Sequence, residues 1–259
     1  VSEFREIPHQ TIPEIVGYTG VTYPNPHPYT DCSLVMVLWN EEARIGSILD
    51  RCRPYFERFV IGVQESTDQT LDIVQKYATE KDQVIPDRHW GFGDASMPML
   101  ISAAKTDWVF VVAGDEMPSD DLLDSLWSAT AYAHKVGADS VWVPFVSLIE
   151  DIEYDEQHGH LRLFQRKLGW PHTLHSRPMS SNGIWWPIGH IRHERSLDEM
   201  VQDYLRYFER GQGNPGWDRH NLTMIHDACV AVANRHGWDY VTRYPWWPEA
   251  KRLAFANEE

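Results

Sequence analysis

A chain of 259 residues is long enough to bury a large core, either as one α/β domain with an elaborated end or as one and a half domains. Its formal net charge of -15 excludes a surface that grips a polyanion over many phosphates, so no stable binding of nucleic-acid tracts is expected. Three widely spaced cysteines, Cys32, Cys52 and Cys229, exclude a disulfide framework or a zinc knuckle, and the lack of a long apolar run or signal peptide leads to the expectation of a soluble, cytoplasmic protein without a transmembrane segment.

Residues 1 to 30 are broken by proline and glycine, as in YPNPHPY, and read as an extended N-terminal arm. From Ser33 the run SLVMVLW predicts a strand. Asn40-Glu41-Glu42 then opens an amphipathic helix through Ile45, Ile48 and Leu49 that stops before Pro54. FVIGV, residues 59 to 63, is a second strand, and Ser66-Thr67-Asp68 caps a helix carrying Leu71, Ile73, Val74 and Tyr77. QVIPD follows as a short strand, then a glycine-punctuated turn at 90 to 93, and then a helix over about 95 to 105. Trp108-Val109-Phe110-Val111-Val112 has no polar alternation and reads as a central strand covered on both faces. Ser119 with Asp120 and Asp121 starts a helix over about 119 to 136. DSVWVPFVSLI is read as one more strand, with HLRLFQR, residues 160 to 166, as its partner across an acidic loop from Glu150 to Gln157. Two later helices are predicted at about 196 to 210 and 221 to 236. Such alternation implies a mostly parallel sheet with right-handed crossovers.

The chemistry is concentrated after the central strand, where Gly114, Asp115 and Glu116 stand at the end at which α/β sheets bind ligands. Carboxylates there suit a hard divalent cation bridging to phosphate oxygens, and Gly114 lets the backbone approach closely. Tryptophan is abundant, twelve in all, and Trp170, Trp185, Trp186, Trp217, Trp238, Trp246 and Trp247 fall toward the C-terminal end, where they read as a wall for stacking planar or sugar rings.

Four segments, in order, resemble glycosyltransferase family 2 with the GT-A fold. They are Asn40-Glu41-Glu42 after the first strand, the turn from Glu65 through Ser66-Thr67-Asp68 to Thr70, DWVFVVAGDE, and a late series. The late series runs Arg162-Leu163-Phe164-Gln165-Arg166, Trp170, His175, Pro187-Ile188-Gly189-His190 and Ser196-Leu197-Asp198-Glu199. It is similar to the branch that includes lipopolysaccharide-core glucosyltransferases. The resemblance implies an α/β fold of GT-A, Rossmann-like type: a mostly parallel sheet, helices on both faces and an irregular tryptophan-rich C-terminal region. The boundaries expected are an arm over 1–30 and a glycosyltransferase domain over 31–210, with a nucleotide-sugar half to about 118 and an acceptor half beyond it. A helical, aromatic extension follows over 211–259.

The function implied is inverting transfer of a sugar from a nucleotide-diphosphate sugar, a UDP-sugar being favoured, to a hydroxyl acceptor with the help of Mn2+ or Mg2+. The acceptor classes are a glycan, a protein, a small molecule or a hydroxylated base in phage-type DNA. A nucleotidyltransferase and a degenerate, non-catalytic sugar- or nucleotide-binding protein are the alternatives.

On this reading Asn40, Glu41, Gln64, Glu65, Asp68, Gly114, Asp115, Arg162 and Arg166 bind the donor, and Asp115, Glu116, His190 and His193 are the candidate metal ligands. Three departures stand out. Ala113 replaces the first acid of the metal motif, Val63 replaces the acid that usually meets the nucleobase, and Ser176 replaces the acid after His175. The acceptor's proton therefore falls to His175, or to a carboxylate from Asp151, Glu153 or Asp218.

Overall fold

The computed structural model describes residues 28–150, 152–154, 159–171 and 177–199, with 202, 230, 232–235 and 237 beyond them. The expected arm before residue 28, and most of the expected helices at 196–210 and 221–236, lie outside the described residues.

The first strand, β1 (Tyr29–Leu38), starts inside the stretch read as an arm, because Tyr29 is buried and its hydroxyl donates to the Leu123 carbonyl at 2.6 Å. There follow α1 (Ile45–Cys52), β2 (Phe56–Gln64), α2 (Thr70–Tyr77), β3 (Gln83–Asp87), α3 (Met97–Ala103), β4 (Trp108–Val111), β5 (Glu116–Pro118) and α4 (Asp120–Val136). The chain continues through β6 (Ser140–Val143), β7 (Phe145–Ile149), β8 (Ile152–Tyr154), β9 (His160–Gln165), β10 (Gly183–Trp185) and β11 (Ile191–Arg195).

Seven strands form one sheet in the order β10-β6-β9-β4-β1-β2-β3, in which β9 alone runs antiparallel to its neighbours. The period of two along β4 sorts its apolar side chains to two faces. Trp108, Phe110 and Val112 join Leu34, Met36 and Leu38 in one core cluster under α1 and α4, while Val109 and Val111 join Val35, Met97, Leu100 and Ile101 under α3.

The predicted strand over 140–149 divides at Pro144. Proline has no N–H for a ladder, and there the chain leaves the large sheet for a second one, ordered β5-β11-β7-β8. The acidic stretch after Glu150 is a hairpin rather than a plain loop, since β8 pairs back on β7 with Ile152 opposite Ile149. In α4, the Ser119 hydroxyl caps Leu122 N, acids occupy the first turn, and Gly137 at φ 73° closes the last. Ser119 also accepts from His190 N at 2.9 Å. Gly189 makes this seat possible, because its φ is 71° and a Cβ there would collide with the Leu122 backbone nitrogen. No helix among the described residues is long and apolar enough to cross a membrane.

Candidate active site at the carboxyl end of the central strands

The loops that follow β1 and β2 are stapled together by side chain to backbone bonds. Asn40, itself at φ 56°, accepts from Thr67 N at 2.8 Å, Glu42 accepts from Gln69 N at 2.9 Å, and Thr70 Oγ1 accepts from Glu41 N at 2.7 Å. Asp68 accepts from Glu42 N at 3.0 Å and from both N and Oγ1 of Thr70. Burial would raise the Asp68 carboxyl, but these bonds outweigh it and hold the group below its ordinary value. Asn40 and Asp68, expected at the nucleotide, are thus engaged in building the two loops.

Gln64 organises the next corner. Ser96 Oγ donates to Asp87 at 2.7 Å, so its oxygen accepts from Gln64 Nε2 at 3.0 Å; Nε2 also donates to the Phe92 carbonyl at 3.2 Å. The amide oxygen of Gln64 therefore faces His89 Nδ1 at 3.2 Å and makes that nitrogen the donor. Glu65, exposed, accepts from His89 N at 3.3 Å. The His89 ring stacks on Trp39 with centroids 4.3 Å apart. Trp39, Asp87, His89 and Ser96 belong to none of the motifs; the available signal is that Trp39, Asp87 and His89 lie at or just past the ends of predicted strands and Ser96 at the start of a predicted helix.

Asp115 lies just beyond β4 and is the centre of the second cluster. Its Oδ2 is 2.9 Å from His193 Nε2, 2.9 Å from Arg195 Nε and 2.8 Å from Arg195 Nη2. Burial would raise the carboxyl, but Arg195 and then His193 prevail and hold it well below the usual carboxylate range. His193 and Arg195 sit two residues apart on β11, so one face of that strand presents both to Asp115.

Glu41 completes this side. It packs over Gly114, where a Cβ would collide with its Cγ and lie 2.8 Å from its Cδ. Arg44 reaches Glu41 at 3.4 Å and Glu199 at 2.5 Å. Burial and the Asp115 charge push the Glu41 carboxyl up from 4.5 to about 7, against the pull of Arg44 and Arg195. Glu41 therefore holds its proton more tightly folded than unfolded. Its contribution to stability is full below about pH 4.5 and is lost as pH rises through about 7. Its side chain is 17% exposed, so solvent screens it little. A Glu41→Gln variant is expected to flatten the fall in urea-unfolding free energy between about pH 5 and pH 8, worth up to roughly 3 kcal/mol. Equal slopes in the two proteins would mean that another group titrates.

Glu116 and the two predicted phosphate arginines are placed differently from the expectation. Glu116 turns inward from β5, accepting from Ala113 N at 2.8 Å and pairing with Arg162, and it is 3% exposed. A carboxylate so deeply buried is stable only when paired, and Arg162 on β9 supplies the partner. Glu116 and Arg162 are thus engaged with each other. Arg166 lies at the opposite end of β4, its Nε donating to the Thr106 carbonyl at 3.0 Å and its backbone N to Asp107 at 2.8 Å. His190 is held through its backbone by Ser119, and no bond of its ring to Asp115 is seen among the described residues. His175, Asp151 and Asp218 lie outside the described residues, as do Trp217, Trp238, Trp246 and Trp247. For Glu153 the strand pairing opposite Leu148 is described.

A divalent ion can be tested against this donor set. Among the described residues no three of His, Cys, Asp and Glu converge tightly enough to enclose an ion. Mg2+-type sites, however, need only one or two protein ligands, with water and substrate phosphate completing an octahedron of bonds about 2.0–2.1 Å long. The 2.9 Å contact between Asp115 Oδ2 and His193 Nε2 is a hydrogen bond, and an ion held by the carboxylate and the neutral imidazole would take the place of the proton between them. The pair fits.

The fold is shared with solved structures. The mannosyltransferase PcManGT from Pyrobaculum calidifontis, in complex with GDP-Man and Mn2+, superposes with a TM-score of 0.51 at 14% identity, covering 93% of this chain and 86% of that one. S. aureus TarS 1-349 in complex with UDP-GlcNAc gives 0.51 at 12% identity, covering 76% and 71%. Against the longer TarS chain (TM-score 0.49, 13% identity) the match covers 76% of this chain and 42% of that one. No curated protein sequence matches this one. The comparisons support the family and the GT-A fold and do not single out the lipopolysaccharide-core branch. The model of Glycosyl transferase family 2 matches residues 33–190, more than half of the chain, and the protein therefore belongs to glycosyltransferase family 2.

Proposed function

We propose that the chain transfers a sugar with inversion from a nucleoside-diphosphate donor to a hydroxyl acceptor, with Asp115 and His193 holding Mn2+ or Mg2+. The observation that carries this reading is the convergence of Asp115, His193 and Arg195 at the carboxyl end of a buried parallel strand. The fold neighbours complexed with UDP-GlcNAc and with GDP-Man and Mn2+ support a nucleotide-sugar donor, and a UDP-sugar is favoured. An ion held there would supply positive charge for the diphosphate. In the transfer, the acceptor oxygen forms a bond to the anomeric carbon as the bond from that carbon to the phosphate oxygen breaks, and the acceptor's proton passes to a base. His175, Asp151 and Asp218 are the candidates for that base. Glycan, protein, small-molecule and modified-base acceptors all meet the requirement for a hydroxyl, and a cytoplasmic setting suits a nucleotide-sugar supply.

The test is a thermal-shift panel of UDP, GDP and their sugars with and without Mn2+. A ligand at about 100 times its dissociation constant stabilises by roughly 2.7 kcal/mol, so one nucleotide is expected to raise the melting temperature in a metal-dependent manner. No rise with any of them would favour the degenerate binding protein.

A further inference from the structure

We infer that Arg195, which no motif assigned, is the cation that meets the diphosphate of the donor, in place of Arg162 and Arg166; this rests on the donor reading above. Three arginines stand near the carboxyl end of β4 among the described residues, and they differ in what surrounds them. Arg162 is 16% exposed and paired with Glu116 beneath the site. Arg44 lies between two carboxyl groups, reaching Glu199 at 2.5 Å and Glu41 at 3.4 Å. Arg195 faces Asp115 through Nε and Nη2, and its side chain is 24% exposed.

Its position also spans the two parts of the fold. Arg195 ends β11 in the smaller sheet, yet its guanidinium crosses to Asp115 after β4, and its charge is felt at Glu41 after β1. A diphosphate bound beside Asp115, at the carboxyl end of β4, would meet the same guanidinium. A planar fork of N–H donors suits phosphate oxygens. The backbone holds the residue in place, because the Arg195 carbonyl accepts from Glu150 N at 2.8 Å. The next four residues form a reciprocal cap, with Glu199 accepting from Ser196 N at 2.8 Å and Ser196 Oγ accepting from Glu199 N at 3.1 Å.

The experiment compares wild type with Arg195→Ala and Arg195→Lys. It measures Mn2+ binding by electron paramagnetic resonance, and UDP, GDP, uridine and guanosine binding by calorimetry in the presence of Mn2+. Arg195→Ala is expected to weaken the preferred nucleoside diphosphate by at least 10-fold, to leave its nucleoside within about 2-fold, and to retain Mn2+ binding. Arg195→Lys restores part of the loss because it returns the charge without the fork. Turnover should fall by ~10²-fold in the alanine variant, the scale for removing one preorganised donor from developing charge. Unchanged diphosphate affinity in Arg195→Ala overturns the inference and leaves the donor reading standing. Parallel loss of nucleoside and Mn2+ binding also overturns it, by showing a structural role. A wild type that binds neither diphosphate overturns both.

Discussion

An Asp115→Asn variant is expected to lose nucleotide release from the donor by at least ~10²-fold, the scale set by removing one preorganised charge partner, and to lose the Mn2+ dependence of nucleotide binding. Asparagine keeps the shape of the side chain and can still accept from Arg195. It cannot supply the charge. His193 and Arg195 are then left around a neutral amide in a site where Asp115 is 13% exposed, which is expected to cost about 1–3 kcal/mol of stability. A second signature separates this from general damage. The Asp115 charge is one cause of the high Glu41 pKa, so in Asp115→Asn the Glu41 carboxyl drops toward its ordinary value, and stability falls less steeply with rising pH than in wild type. Nucleotide release with water as acceptor and urea unfolding across pH measure both effects. A variant that keeps its Mn2+-dependent nucleotide binding would remove Asp115 from the metal site.

The largest loss of stability is expected at Glu116. Surface pairs such as Arg192 with Glu194, 50% and 58% exposed, are worth about 0–1 kcal/mol at most. Glu116 and Arg162 are 4% and 16% exposed, and breaking a buried pair from one side costs roughly 3–5 kcal/mol because the remaining charge is uncompensated. Arg162 Nε is already buried without a hydrogen-bond partner among the described residues, so Arg162 has little slack to absorb the change. Glu116 also receives Ala113 N, the bond that shapes the turn leading to Asp115. Glu116→Ala is therefore expected to lower the melting temperature by about 2–4 °C for each kcal/mol, for a chain of this size. The double variant Glu116→Gln/Arg162→Met should recover part of the loss, since it removes the stranded charge. A fall under about 1 kcal/mol in Glu116→Ala would show that the pair is not what holds the turn.

The sequence by itself determined the order of strands and helices through α4, because apolar periodicity, capping residues and proline breaks act over a few neighbours. It also determined that Asp115 follows a strand buried on both faces, since the run Trp108 to Val112 has no polar position. Only the tertiary structure decided which distant side chains join it. Antiparallel pairing of β9 with β4 puts Trp108 opposite Gln165 and Phe110 opposite Leu163, so Arg162 lies toward the carboxyl end of β4 and Arg166 at the other. Four residues along a strand are about 13 Å, enough to remove Arg166 from the site although both arginines belong to one motif. Which of His190 and His193 brings its ring to Asp115 depends on register. On β11, His193 sits opposite Glu116 and shares a face with Arg195, and a slip of one residue would turn both away from Asp115. Register depends on partner strands far away in the chain, and local residue patterns carry no record of it.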